Sequence, residues 1–181
     1  MLVPAEVWTV AKAEQGSAVL IKPVGSEVAV PIFIGPLEAQ AILIGLANHP
    51  MPRPLSHDLF LTALQRLVVK IIRIEITELK EGTFYGRLIL NQSGKDITLD
   101  ARPSDCIAIA VRAKCPIFID EGVVDDAGIP ISAAEEKEVK KSDAEAQISH
   151  LQKQLEKAVE VENYEEAAQL RDRIKELEDK K

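Results

Sequence analysis

Aromatic residues are scarce, at 4% of the 181-residue chain, with Trp8 the only tryptophan. A base-stacking platform for single-stranded nucleic acid is therefore not expected. Positive charge is also short, at 22 Lys and Arg against 29 Asp and Glu, a formal net charge of −7. That argues against a broad basic face gripping nucleic acid by counterion release, though not against a small local site. No run approaches the ~20 apolar residues of a membrane helix, and the N-terminus has neither the basic nor the apolar region of a signal peptide. No membrane association and a cytoplasmic location are expected. The two cysteines, Cys106 and Cys115, fall in or beside one apolar segment and read as reduced core thiols, neither disulfide nor metal pair. Gly-rich phosphate loops, nucleophile elbows and CxxC pairs are absent.

What is present begins with two meanders. Val3 to Ala11, Ala18 to Lys22 and Val28 to Ile34 read as strands joined by turns at Glu14-Gln15-Gly16 and Val24-Gly25-Ser26. Gly35-Pro36 opens a helix to about Asn48, apolar nearly all round and so expected to be buried. His49 to Pro54 is a loop, because three prolines at alternate positions cannot be helical. Ser56 reads as the N-cap of a helix through about Leu67, with Leu59, Leu64 and Leu67 as candidate core contacts and Phe60 alongside. Val68 to Leu79 alternates Ile72, Ile74 and Ile76 against Arg73, Glu75 and Thr77, a strand with one wet face. Turns at Glu81-Gly82 and Ser93-Gly94 lead into Phe84 to Asn91 and Ile97 to Ala101. A helix from Pro103 to about Lys114 and a short strand at Pro116 to Ile119 follow. That strand repeats Pro31-Ile32-Phe33-Ile34 residue for residue, which is compatible with two related halves.

The turn Asp100 to Asp105 gathers two carboxylates, a hydroxyl and a guanidinium where a strand feeds a helix. Pro103 suits the first helical position. Asp105 lies in the first turn, as Glu38 and Asp58 do in theirs, with His57 and Arg102 flanking. Two readings stand. In one, each acid complements a helix dipole, for about 0.3–1 kcal/mol, with Arg102 paired to Asp100 or Asp105. In the other, the three starts meet at one sheet edge, where Glu38, Asp58 and Asp105 hold a divalent metal beside His57. His57 is equally a candidate general base. Arg53, in the proline-rich loop, is a candidate phosphate contact.

From about Ser132 glycine vanishes and Glu, Lys and Ala dominate. Three regions are expected: a sheet-based domain over 1–131, a charged linker over 132–142, and a helical hairpin over 143–181. Leu151, Leu155 and Ala158, then Ala167, Leu170, Ile174 and Leu177, form narrow apolar stripes. One hairpin buries too little to stand alone, so it should pack on the main domain or on another hairpin.

Pro31 to Gly35, Glu38 to Ile42, Arg53 to Leu59, Ser93 to Leu99 and Asp100 to Asp105 closely resemble the bifunctional nuclease domain family, in the same order and spacing over about Leu2 to Ile131. The resemblance implies an α+β fold, a long twisted mostly antiparallel sheet with helices on both faces, and cleavage of both DNA and RNA. It carries over Glu38, His57, Asp58, Arg102, Ser104 and Asp105 as the candidate site. His57, Asp58, Asp105 and Glu38 would be catalytic, Arg102, Ser104 and Arg53 would bind substrate, and Mg²⁺ or Mn²⁺ is the suspected cofactor. Cys106 stands where the family has Ala. The tail, from Leu155 to Glu160 and Asn163 to Leu177, resembles the UVR motif, a hairpin that pairs with another hairpin. It implies a protein partner or self-association, including a homodimer. The rival function is a non-catalytic regulatory or binding module recruited through that hairpin. Few aromatics and the net charge favour it; the first-turn acids with His57 favour the nuclease.

Overall fold

The computed structural model describes residues 1–13, 16–133, 148, 150–159 and 163–179. They group into two units, Met1–Ile131 and Ser132–Lys181. The first unit runs β1 (Leu2–Ala13), β2 (Gly16–Pro23), β3 (Val28–Ile34), α1 (Pro36–Leu46), α2 (Ser56–Arg66), β4 (Val69–Lys80), β5 (Thr83–Gln92), β6 (Lys95–Ala101), α3 (Pro103–Ala113), β7 (Ile117–Asp120), α4 (Glu121–Ala127) and β8 (Ile129–Pro130).

Among the described residues eight strands form one sheet, in the order β6-β5-β4-β7-β1-β2-β3-β8. Every neighbouring pair is antiparallel except β4 with β7, so the α+β, mostly antiparallel expectation holds. The tight hairpins have a local cause. Glu81 and Gly82 (φ 51° and 76°) and Ser93 and Gly94 (φ 52° and 83°) form two-residue loops with both centres in the left-handed region. Such loops match the twist of the strands they join. Each meander leads into a helix: β1-β2-β3 into α1, and β4-β5-β6 into α3. The two meanders flank β7 in the sheet. The repeated Pro-Ile-Phe-Ile segments do not mark this relation, since they fall on β3, near one edge, and on β7 in the centre.

The core is built from isoleucine. Ile21, Ile42, Ile74, Ile76, Ile107 and Ile119 are fully buried, each worth about 1.5–3 kcal/mol. Helices α1 and α3 pack on one another, α2 packs on α3, and α4 lies against β3, β4 and β7.

Four expectations are corrected. The first helix is not buried all round: Ala39 and Ile42 are, but Leu37 is 76% exposed and Leu43 and Leu46 are about half exposed. Its contacts are with α3 and β2, which leaves the opposite apolar surface open. Leu55, not Ser56, stands at the N-cap position of α2, with no side-chain cap of its own, and Leu59 and Leu67 are exposed rather than core contacts. In β4 the wet face fails at Glu75, which is buried and bound by Arg73 Nε at 2.7 Å. Register shifts at Ile71/Arg73 and Ile76/Glu78 break the strict alternation there. Finally α4 and β8, for which no element was expected, follow β7 directly. Asp120 caps α4 by accepting the Gly122 N–H at 2.9 Å.

In the second unit residues 150–159 (α5) and Tyr164–Asp179 (α6) are helical. The Asn163 N–H donates to the Ala158 carbonyl at 2.8 Å. Ile148, Ala158 and Ile174 are buried, with Leu151, Leu155 and Leu170 half-buried. Most of the expected linker, the start of the first tail helix, and the side chains of Ala167 and Leu177 lie outside the described residues.

Candidate active site

The three acids occupy the same position in three helices. Gly35, Leu55 and Arg102 are the N-caps, so Glu38, Asp58 and Asp105 are each the third helical residue. A carboxylate there meets the free N–H groups and the positive end of the helix dipole. Pro36 and Pro103 supply the first residue of α1 and α3, where a missing N–H costs nothing. The start of α3 sits close over β5 because Gly86 has no side chain. A Cβ there would lie 3.0 Å from the Ala101 carbonyl oxygen and 3.3 Å from Cys106 Sγ.

Two of the three acids meet. Arg102 donates from Nε to Asp105 Oδ2 at 2.9 Å and from Nη2 to Asp105 Oδ1 at 3.3 Å, a fork-on-fork pair. Its Nη1 reaches 64 residues back to Glu38 Oε1 at 3.1 Å. His57 joins from α2, with Nε2 3.6 Å from Asp105 Oδ1. Asp105 first, and then Glu38, hold the Arg102 guanidinium above its ordinary pKa, so it is charged at any working pH. Its side chain is nevertheless 66% exposed, so the charge faces solvent.

Asp58 does not join them. Its Oδ2 accepts the Leu55 N–H at 2.8 Å, fixing the helix start, and its Oδ1 accepts from Arg112 Nε at 2.9 Å. Ser104 is buried in the first turn of α3. Arg53 is exposed in the proline-rich loop, on the side where Asp58 and Arg112 meet. Arg112 is the participant that sequence reasoning missed; its signal, a lone arginine near the end of an apolar helix, resembles any dipole-complementing residue.

This arrangement does not fit a resident divalent metal. Arg102 lies between Glu38 and Asp105, where a cation would have to bind, and Asp58 is taken up by Arg112. Among the described residues no three His, Cys, Asp or Glu side chains are grouped to hold a metal ion. The cluster as it stands offers one fixed cation, one imidazole and a carboxylate that touches both.

Residues 19–132 match the bifunctional nuclease domain, and the chain belongs to that family. Residues 145–180 match the UvrB/uvrC motif. An uncharacterized protein of Mycobacterium tuberculosis is 37% identical over 119 residues, covering 66% of this chain and 71% of its own. Bifunctional nuclease 1 of Oryza sativa subsp. japonica is 30% identical over 110 residues, 59% of this chain. Bifunctional nuclease 2 of Arabidopsis thaliana is 23% identical over 179 residues, 87% of this chain. The match spans only 33% of the rice protein and 54% of the Arabidopsis one. Among the described residues no helix is long and apolar enough to cross a membrane.

Proposed function

We propose that this chain hydrolyses phosphodiester bonds of DNA and RNA at the cluster of Glu38, His57, Arg102 and Asp105. The observation that carries the reading is Arg102, anchored at three hydrogen bonds yet two-thirds exposed. A guanidinium fixed in this way meets a phosphodiester oxygen without first having to be ordered, and stabilises the charge that grows on the phosphorus oxygens. His57 is the general base. Asp105 Oδ1 lies 3.6 Å from Nε2, and Nδ1 takes the proton of an attacking water, or of a ribose 2′-hydroxyl, as the P–O bond to the leaving oxygen breaks and solvent protonates that oxygen. Glu38 keeps the guanidinium from turning away.

The tail recruits a partner, either a foreign protein with a matching hairpin or a second copy of this chain. The reduced thiols Cys106 and Cys115 support a cytoplasmic setting.

A second reading has its own support. Guanidinium groups neutralise all three acids, which ties the starts of α1, α2 and α3 to α3 whether or not chemistry follows. In that reading the domain is a regulatory module and the hairpin its address. One assay separates them: cleavage of plasmid DNA and labelled RNA in Mg²⁺, Mn²⁺ or chelator, for the parent, His57→Gln, Asp105→Asn and Arg102→Lys. The nuclease reading expects parental cleavage, a loss of about 10²–10⁴-fold in His57→Gln, and at least about tenfold in Arg102→Lys, since an ammonium cannot form the fork. No cleavage by the parent in any condition supports the regulatory module. Equal cleavage by all four places the activity elsewhere. Loss on chelation alone would mean that a metal displaces Arg102 from the acids.

A further inference from the structure

A pocket of about 390 Å³ opens beside α2, lined by Asp58, Arg53 and Arg112 and by the apolar side chains of Ile44, Met51 and Leu61. Small-molecule sites span about 300–1,000 Å³, so one mononucleotide is the right size for it. Its charge runs against the chain as a whole. Two guanidiniums face one carboxylate, a local excess of one positive charge in a protein of net charge −7.

Arg112 is the unusual group. Its side chain is only 8% exposed. Nε is taken by Asp58 and Nη1 by the Ala108 carbonyl at 2.7 Å, but Nη2 is buried with no partner among the described residues. A guanidinium has five N–H donors and no way to lose its charge, so Arg112 keeps a fixed positive charge beside the pocket. Packing holds it in place. A Cβ on Gly45 of α1 would lie 2.9 Å from Arg112 Nη1 and 2.5 Å from Val111 Cγ2, so only glycine lets α1 close on this side chain. Arg53 stands exposed at the pocket and makes no ion pair or hydrogen bond among the described residues. One almost wholly buried and one exposed, the two arginines line the same pocket.

We propose that this pocket binds a nucleoside monophosphate, its phosphate on Arg53 beside the Arg112 guanidinium and its base against Ile44, Met51 and Leu61. Asp58, at the pocket, directly follows His57, at the Arg102 cluster, so the two sites adjoin along the first turn of α2. The role as a seat for a released or terminal nucleotide rests on the nuclease reading; the binding itself does not.

The test is isothermal titration of the full chain with AMP, inorganic phosphate and adenosine. Each ligand is measured on the parent, Arg53→Gln and His57→Gln, with cleavage assayed in parallel. AMP should bind more tightly than phosphate or adenosine alone. Arg53→Gln should weaken AMP by about tenfold, the worth of one charge-assisted contact. Arg53 is exposed, so the fold should survive, which a thermal melt checks. His57→Gln should leave AMP affinity unchanged. Absence of AMP binding, or equal AMP affinity in parent and Arg53→Gln, overturns the site. Equal affinity for phosphate and AMP overturns the nucleoside assignment. A parent that binds AMP but never cleaves supports the pocket while removing the nuclease reading; one that cleaves without binding AMP does the reverse.

Discussion

Asp58 and Arg112 are 54 residues apart in the chain and joined at 2.9 Å between Oδ1 and Nε. The Arg112 side chain is almost wholly buried, while that of Asp58 is 37% exposed. The pair therefore sits at the margin of the interior, where removing the acid leaves a buried cation with no counter-charge.

Asp58→Ala should accordingly be the most destabilising change among the three first-turn acids. It removes the cap on Leu55, worth about 1 kcal/mol, and strands Arg112. Fully buried pairs cost about 3–5 kcal/mol to break; with Asp58 partly solvated, a total near 2–3 kcal/mol is expected. Urea melts of Asp58→Ala and Asp105→Asn decide it. A loss as small as that of the exposed Asp105 would show that the buried guanidinium finds other solvation.

Asp120 gives a pH dependence with a definite sign. Its carboxyl is held below the ordinary 3.8, first by the Gly122 N–H and then by the Met1 ammonium. A depressed carboxylate stabilises the fold above the unfolded pKa, and that stability fades as pH falls through the folded pKa. Asp120→Ala should therefore melt a few degrees below the parent at neutral pH. The two should converge once pH has fallen through the folded pKa, where the carboxyl is protonated in either state. A gap that persists at low pH would assign the effect to packing instead.

Cys106 should be chemically silent in the native protein. Burial, then the Asp105 charge, pushes its thiol up from 9.0 to about 12. At pH 8 roughly one molecule in 10⁴ carries the reactive thiolate. Maleimide labelling followed by mass spectrometry should find Cys106 unmodified until denaturant is added. Cys115, raised by burial as well but only half-buried, should label first. Fast native labelling of Cys106 would mean that α3 opens readily.

The hairpin should associate. Sedimentation of the full chain is expected to show a dimer or larger species, and a chain ending at Ile131 a monomer, because the apolar stripes of α5 and α6 suit a second hairpin. Identical monomeric behaviour would leave a foreign partner, or the parent domain, as the surface those stripes meet.

Local chemistry was legible in the residues alone. Glycine turns at Gly82 and Gly94, prolines at the first positions of α1 and α3, and acids in three first turns each depend on neighbours a few positions away. Local rules read such features without any knowledge of the fold. The apolar pattern of β4 was legible too, except at Glu75, which the packed strand buries. What the tertiary structure decided was partnership. Nothing in the spacing tells whether Arg102 will take Asp100, Asp105 or Glu38, because any guanidinium suits any carboxylate and the choice belongs to distance. The sheet order sets the two meanders on either side of β7, α1 packs on α3, and Glu38 comes within reach of Arg102. Packing of α2 on the same helix turns Asp58 to Arg112 and His57 to Asp105. Three equivalent acids thus become two kinds, because charge pairing is short-ranged in space and indifferent to separation along the chain.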